Sequence, residues 1–242
     1  MSNRKAAASR FRKYIRQSNE LHAGYSRDPD LLAAYDRFAN WQLEYLLPFF
    51  GDLHSQPGYI EALDFTMSDL AGIGISQRDD DLERAAPVIT RMLPLRALET
   101  IAAAARMNSR VLKVNLSICR CLMVDGRLPE EITEYAYFMA CREASSLEEC
   151  NELVYLIVDL GRTLSTLIEV PLIGFTLRAM RGPAHATGFG ALQVFLETGY
   201  ITFRAIPDIP YFLDVIETRM IDIFETIYRS PLSDSPKINN NS

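Results

Sequence analysis

Apolar residues recur at intervals of three and four along almost the whole chain, and Gly, Pro and Asp or Ser signals fall between those stretches where helix ends need them. A stripe of that period buries one face of a helix, whereas a strand needs period two. No run of alternating β-branched residues argues for a sheet, and no period of about 20–50 residues argues for a solenoid. The expectation is an all-α fold: one domain of nine or ten helices, with no sheet. A chain of 242 residues buries roughly 70–75% of the surface it exposes when unfolded, enough for one core without staples.

Local signals place the elements. Asp28 before Pro29 reads as an N-cap with proline at the first helical position, where no amide partner is needed, and predicts a helix to about Phe49, ended by Gly51. A second runs from Pro57 to Gly72. Asp79, Asp80 and Asp81 suit the positive end of a helix over 76–93, with Pro87 as a kink. An Ala-rich helix spans Leu95 to about Val124 and stops at Asp125-Gly126; Pro129 then starts another, ending near Ala144. Ser146 with Glu149 is a capping-box pattern that opens a helix from Leu147 to about Ile168. Prolines 171, 183, 207 and 210 divide the rest into helices at Leu172–Met180, Ala184–Ala205 and Tyr211–Tyr228. The domain reading is a basic arm or helix over 1–27, an all-helical domain over 28–229, and a polar tail over 230–242 expected to be disordered.

Charge is uneven. Arg4, Lys5, Arg10, Arg12, Lys13 and Arg16 place six cations and no acid in the first 16 residues, leaving a net of −12 for the remainder. An acidic body repels phosphate backbones, and the arm has little aromatic interleaving beyond Phe11 and Tyr14, so no nucleic-acid role is expected. The arm reads as a solvated first helix, with contact to an anionic membrane surface through residues 1–16, or a transit peptide, as alternatives. No stretch of 18 uncharged apolar residues occurs: the best, Leu164 to Leu177, is broken by Glu169 and Pro171, so no transmembrane segment is expected. Cys119, Cys121, Cys141 and Cys150 are too few for a disulfide scaffold and read as buried, reduced thiols in a cytoplasmic protein. Cys119 and Cys121 stand about 200° apart around a helix, unsuited to clamping one metal.

Only three histidines occur, His22, His54 and His185, none spaced from a glutamate as helix-face metal sites require, so no metal is expected. No cofactor is predicted; a haem held by His54 or His185 is not excluded. Nucleophile-elbow, zinc-protease and Walker motifs are absent. The segment Arg181 to Ala191 carries small residues at 184, 186, 188, 190 and 191, with Pro183 placed at a helix start that leaves amides free. Its functional reading is an anion held by backbone amides, Arg181 and His185; its structural reading is a tight helix crossing with Arg181 satisfied by an acid. Arg78, Asp79 and Arg84 form a second polar knot, read as ligand-binding or as surface ion pairs. Trp41 with Gln42 reads as a core aromatic or a stacking platform.

The order of these pieces resembles the FFLEELY-motif family of proteobacterial proteins from about Leu31 to Arg219. Trp41-Gln42, Tyr59 with Ala62, Arg78-Asp79 with Arg84, and Leu93-Pro94 are similar to the family's pattern. So are Met180, Arg181, Pro183, Ala184, Gly188, Leu192, Gln193, Phe195, Leu196, Glu197 and Gly199. The signature departs from it: Phe65-Thr66-Met67-Ser68-Asp69-Leu70-Ala71-Gly72 stands where the family reads Phe-Phe-Leu-x-Glu-Leu-Tyr-Gly. Arg106 takes the place of a glutamate, and Glu149 and Glu152 that of an Arg-x-x-Gln pair. The resemblance implies an all-helical cytoplasmic bacterial protein and assigns no reaction.

Two functions follow as expectations. One is a non-enzymatic protein that binds a protein partner or small molecule in a helical groove or pocket. The other is a metal-independent enzyme on a small anionic substrate, with Arg181 orienting it and His185 or Glu197 as acid or base.

Overall fold

The structure is a computed structural model that describes residues 3–70, 75–92, 94–186 and 190–231; within these ranges the side chains at 68–70, 75–81, 88, 92, 171–172, 183, 185 and 191–192 lie outside the description. The described residues form α1 (Asn3–Ser26), α2 (Pro29–Leu46), a 3₁₀ turn (Leu47–Phe50), α3 (Gly51–His54), α4 (Tyr59–Asp64), a π-helical segment (Phe65–Leu70), α5 (Ile75–Met92), α6 (Leu95–Leu122), α7 (Glu134–Ala144), α8 (Leu147–Ile168), α9 (Pro171–Ala186), α10 (Gly190–Ala205) and α11 (Ile209–Arg229). Apart from the single turn α3, that is ten α-helices, with no strand among the described residues. The all-α expectation holds.

Capping fixes several starts. The Asp28 carboxylate accepts from the amides of Asp30 and Leu31, both at 3.1 Å. Ser146 Oγ accepts from Glu149 N at 3.1 Å while Glu149 Oε2 accepts from Ser146 N at 3.3 Å, the reciprocal pair the spacing predicts. Asp125 (φ 52) and Gly126 (φ 77) form a tight turn between Val124 and Arg127, whose backbones exchange two hydrogen bonds. Left-handed backbone at both central positions is what Asp-Gly favours.

Three boundaries differ from the expectation. The helix expected from Pro129 starts at Glu134, with Thr133 Oγ1 accepting from Ala136 N at 3.2 Å. Arg37 accounts for the delay: its guanidinium donates to the carbonyls of Leu128, Pro129 and Glu130, satisfying them outside a helix, and buried Leu128 and Ile132 pin the loop. Gly51 opens α3 instead of ending a helix. Pro183 lies inside α9, which runs on to Ala186, so it does not open a helix with free amides. Side-chain bonds from α10 to the last turns of α9 hold that segment helical despite the missing amide.

At the centre lies α6, which packs against α1, α2, α7 and α8, with α11 closing over α8 and α7. The main core includes Phe38, Phe50, Leu63, Leu116, Phe138, Val158, Phe212 and Ile227. A separate small cluster, Phe11, Ile15, Ala86, Ala102 and Ala105, joins α1 to α5 and α6. Its α1 members continue a stripe of buried positions, Ala7, Phe11, Ile15, Ser18, His22 and Tyr25, at steps of four and three. The arm expected to be solvated is therefore a docked helix, and its charges occupy the faces this stripe leaves outside.

Candidate functional site

Docking α1 on α5 creates an open-sided groove of about 820 Å³. Arg4, Lys5, Arg12, Lys13 and Arg16 enter it from α1 and Arg91 from the last turn of α5; Ser9, Gln17, Pro87 and Thr90 fill the spaces between them, and among the described residues no acid lines it. Helix geometry accounts for the arrangement. Positions 4, 8, 12 and 16 form one i,i+4 row beside the buried stripe, and positions 5, 9, 13 and 17 form the next row outward, exposed throughout.

Two of the cations also hold the groove in shape. Arg4 Nη2 donates to the carbonyls of Thr90 and Arg91 at 2.9 and 2.7 Å, covering the acceptors that the end of α5 leaves open. Arg12 Nη2 donates to Thr90 Oγ1 at 3.2 Å, and Thr90 Oγ1 donates to Ala86 O at 2.7 Å. At the far end of the pair, Asn19 Nδ2 donates to Glu83 Oε2, which sets α1 and α5 antiparallel. Among the described residues, Lys5, Arg12, Lys13 and Arg16 form no ion pair. The first turn of α1 holds no acid, so Arg4 and Lys5 sit at the positive end of a helix dipole, and Arg12 faces Arg16 across one turn. Each such juxtaposition is unfavourable by a few tenths to about 1 kcal/mol and is relieved by an anion.

Among the described residues, the sequence candidates are not gathered into one cavity. Arg181 Nε donates to both carboxylate oxygens of Glu197 at 2.7 Å, and Gln193 Nε2 donates to Glu197 Oε1 at 3.0 Å and Leu177 O at 2.6 Å. Burial pushes the Glu197 carboxyl up, but the hydrogen bonds from Arg181 and Gln193 bring it below its ordinary value. This clasp joins α9 to α10 and matches the structural reading, in which Arg181 is satisfied by an acid. His185 lies in α9, and Arg78 and Asp79 in α5, but their side chains fall outside the described residues. Arg84 is exposed on α5. Trp41 stacks on Tyr45 (5.2 Å) and meets Tyr137 edge-on (5.0 Å), while Gln42 Nε2 donates to Tyr137 OH at 3.1 Å, so both serve the packing of α2 on α7. The haem candidate His54 is exposed on α3, its Nε2 3.6 Å from Asp64.

Burial pushes the thiols of Cys119 and Cys141 up to about 11 and about 12, so both stay protonated and inert. Cys121 is exposed, which corrects its expected burial; two residues from Cys119 on α6, it faces the other way. No group of three or more His, Cys, Asp or Glu among the described residues is placed to hold a metal ion, and no described helix is long and apolar enough to cross a membrane. Buried polar residues to which sequence reasoning gave no role include Asn108, whose Nδ2 donates to Ser18 Oγ at 3.1 Å across the α1–α6 seam, and His22, whose Nδ1 lies 2.7 Å from Tyr25 OH within α1. Sequence reasoning also missed the groove, because Arg91 stands far along the chain from the arm. The stripe at 7, 11, 15, 18, 22 and 25 was the signal that would have docked α1.

No curated protein and no solved structure matches the chain. A family model described as a domain of unknown function, DUF8198, matches residues 22–232, beginning near the end of α1 and running through α11. The basic groove therefore draws five of its cations from residues ahead of the matched region, and the chain belongs to the DUF8198 family.

Proposed function

We propose that the protein is a non-enzymatic binding module that holds an anionic partner in the groove between α1 and α5. The observation that carries this reading is six cations, with no acid among the described residues, lining one cleft on a chain that is otherwise strongly acidic. Like charges held together on a rigid scaffold raise the local concentration of an opposite charge and speed its capture. Four of the six are arginines, whose planar forks pair with oxyanions in two-point fashion. The enzymatic alternative draws less support, since Arg181 is already held by the carboxylate proposed as acid or base.

The test is equilibrium binding of labelled polyglutamate and of inorganic polyphosphate to the full chain at low salt. The groove variant Lys5→Glu/Lys13→Glu/Arg16→Glu is compared with Arg10→Glu/Arg96→Glu/Lys113→Glu, which changes net charge equally outside the groove. Loss of binding only in the groove variant is expected; equal loss in both, or none in either, contradicts the proposal.

A further inference from the structure

The shape of the groove says what kind of anion it takes. Its α1 wall runs from residue 4 to residue 17, about 20 Å at the helical rise per residue. An extended polypeptide rises about 3.3 Å per residue, so some six residues span that wall. Arg12 and Arg16 are one i,i+4 step apart, about 6 Å along the axis, and Lys5 and Lys13 two such steps, about 12 Å. Side chains on one face of an extended strand recur about every 6.6 Å, close to the same interval. Ser9 and Gln17 alternate with Lys5 and Lys13 in their row and offer hydrogen-bond donors to a passing backbone. Arg4 and Arg12 converge on Thr90, while Lys13 and Arg16 stand further along α1, so the cations as a set extend beyond the reach of one compact oxyanion.

We propose that the groove is a slot for an extended acidic peptide segment of about six residues whose carboxylates occupy alternate positions. This rests on the binding reading above and adds the partner's class. Other polyanions fit less well. Among the described residues no aromatic side chain lines the groove to stack a base, and Tyr14 packs against the small cluster beneath α1. The apolar face of α1 that would enter a bilayer is already buried: Ala7 and Phe11 have no exposed surface and Ile15 almost none.

The experiment measures fluorescence anisotropy of two blocked, labelled hexapeptides at low salt, Glu-Ser-Glu-Ser-Glu-Ser and Glu-Glu-Glu-Ser-Ser-Ser. They are identical in composition and net charge. Inorganic polyphosphate, phosphatidylserine-containing vesicles and oligouridylate serve as competitors. The alternating peptide is expected to bind at least about threefold tighter than the block peptide. That preference should vanish in both Lys13→Glu/Arg16→Glu and the neutral Lys13→Gln/Arg16→Gln, each checked for native helicity, and persist in Arg10→Glu. Equal or tighter binding of the block peptide overturns the proposal, as does groove-dependent binding in which polyphosphate, vesicles or oligouridylate outcompetes the alternating peptide. If no probe responds to the groove substitutions, the wider binding reading fails with it.

Discussion

The α1–α5 groove and the α9–α10 clasp both place arginines at a helix–helix seam, and they handle the charge in opposite ways. In the clasp, Arg181 meets Glu197 in a two-oxygen contact, and Gln193 fastens the same carboxylate; Glu197 keeps only 13% of its side-chain surface exposed. In the groove the cations face one another and polar groups that carry no charge. A seam that neutralises its charges internally contributes to the fold; one that leaves them alike is less stable than it need be and keeps free energy available for a partner. The groove walls are nonetheless firmly seated, since Phe11 is fully buried beneath them.

That contrast can be broken or sharpened in order of expected effect. Phe11→Ala removes the largest side chain of the small cluster and is expected to lower unfolding free energy by about 3–5 kcal/mol, measured by urea denaturation. Phe175→Ala, at a residue of α9 that is itself 63% exposed, should stay within about 0.5 kcal/mol. A small loss at Phe11 would mean that α1 is only loosely docked. Next in size is the groove reversal Lys5→Glu/Lys13→Glu/Arg16→Glu, expected to weaken polyglutamate binding at least tenfold, about 1.4 kcal/mol or more. The same change should leave the melting temperature unchanged or slightly higher, since an acid then sits in the first turn of α1. Arg181→Ala should do the reverse: binding intact, melting temperature slightly lower.

Salt should separate the two regions further. Between about 0.05 and 0.5 M salt the screening length falls from about 14 Å to about 4 Å, so polyglutamate affinity should drop steeply while the melting temperature changes little. The smallest effect concerns pH. Hydrogen bonding from Arg219 holds the Asp52 carboxyl below its ordinary value, and the Arg181 and Gln193 contacts do the same for Glu197 against the effect of burial. A depressed native value means stability that is complete above the ordinary carboxylate range and lost as pH falls through the native value. Thermal melts from pH 6 down to about pH 2.5 should therefore show a shallower acid decline in Asp52→Asn and in Glu197→Gln than in the unaltered chain.

Much of the helical layout was legible because its signals are local. The Asp28-Pro29 cap, the Ser146/Glu149 box and the Asp125-Gly126 turn act within three or four residues, and each stands where the pattern puts it. What failed was decided at a distance. Arg37 strips three carbonyls from the segment after Pro129, and contacts from α10 carry α9 through Pro183. At the site, the acid partner of Arg181 was foreseen in kind but not by name. The groove was illegible for a further reason: the dense charge on α1 masks the period of its buried stripe, and the two walls lie some 75 residues apart.

The central claim is tested most directly by hydrogen exchange on the full chain with and without saturating polyglutamate at low salt. Slowed exchange confined to Arg4–Gln17 and the Pro87–Arg91 end of α5 is the predicted result. Protection centred on α9 and α10, or none anywhere while binding is evident, would contradict it.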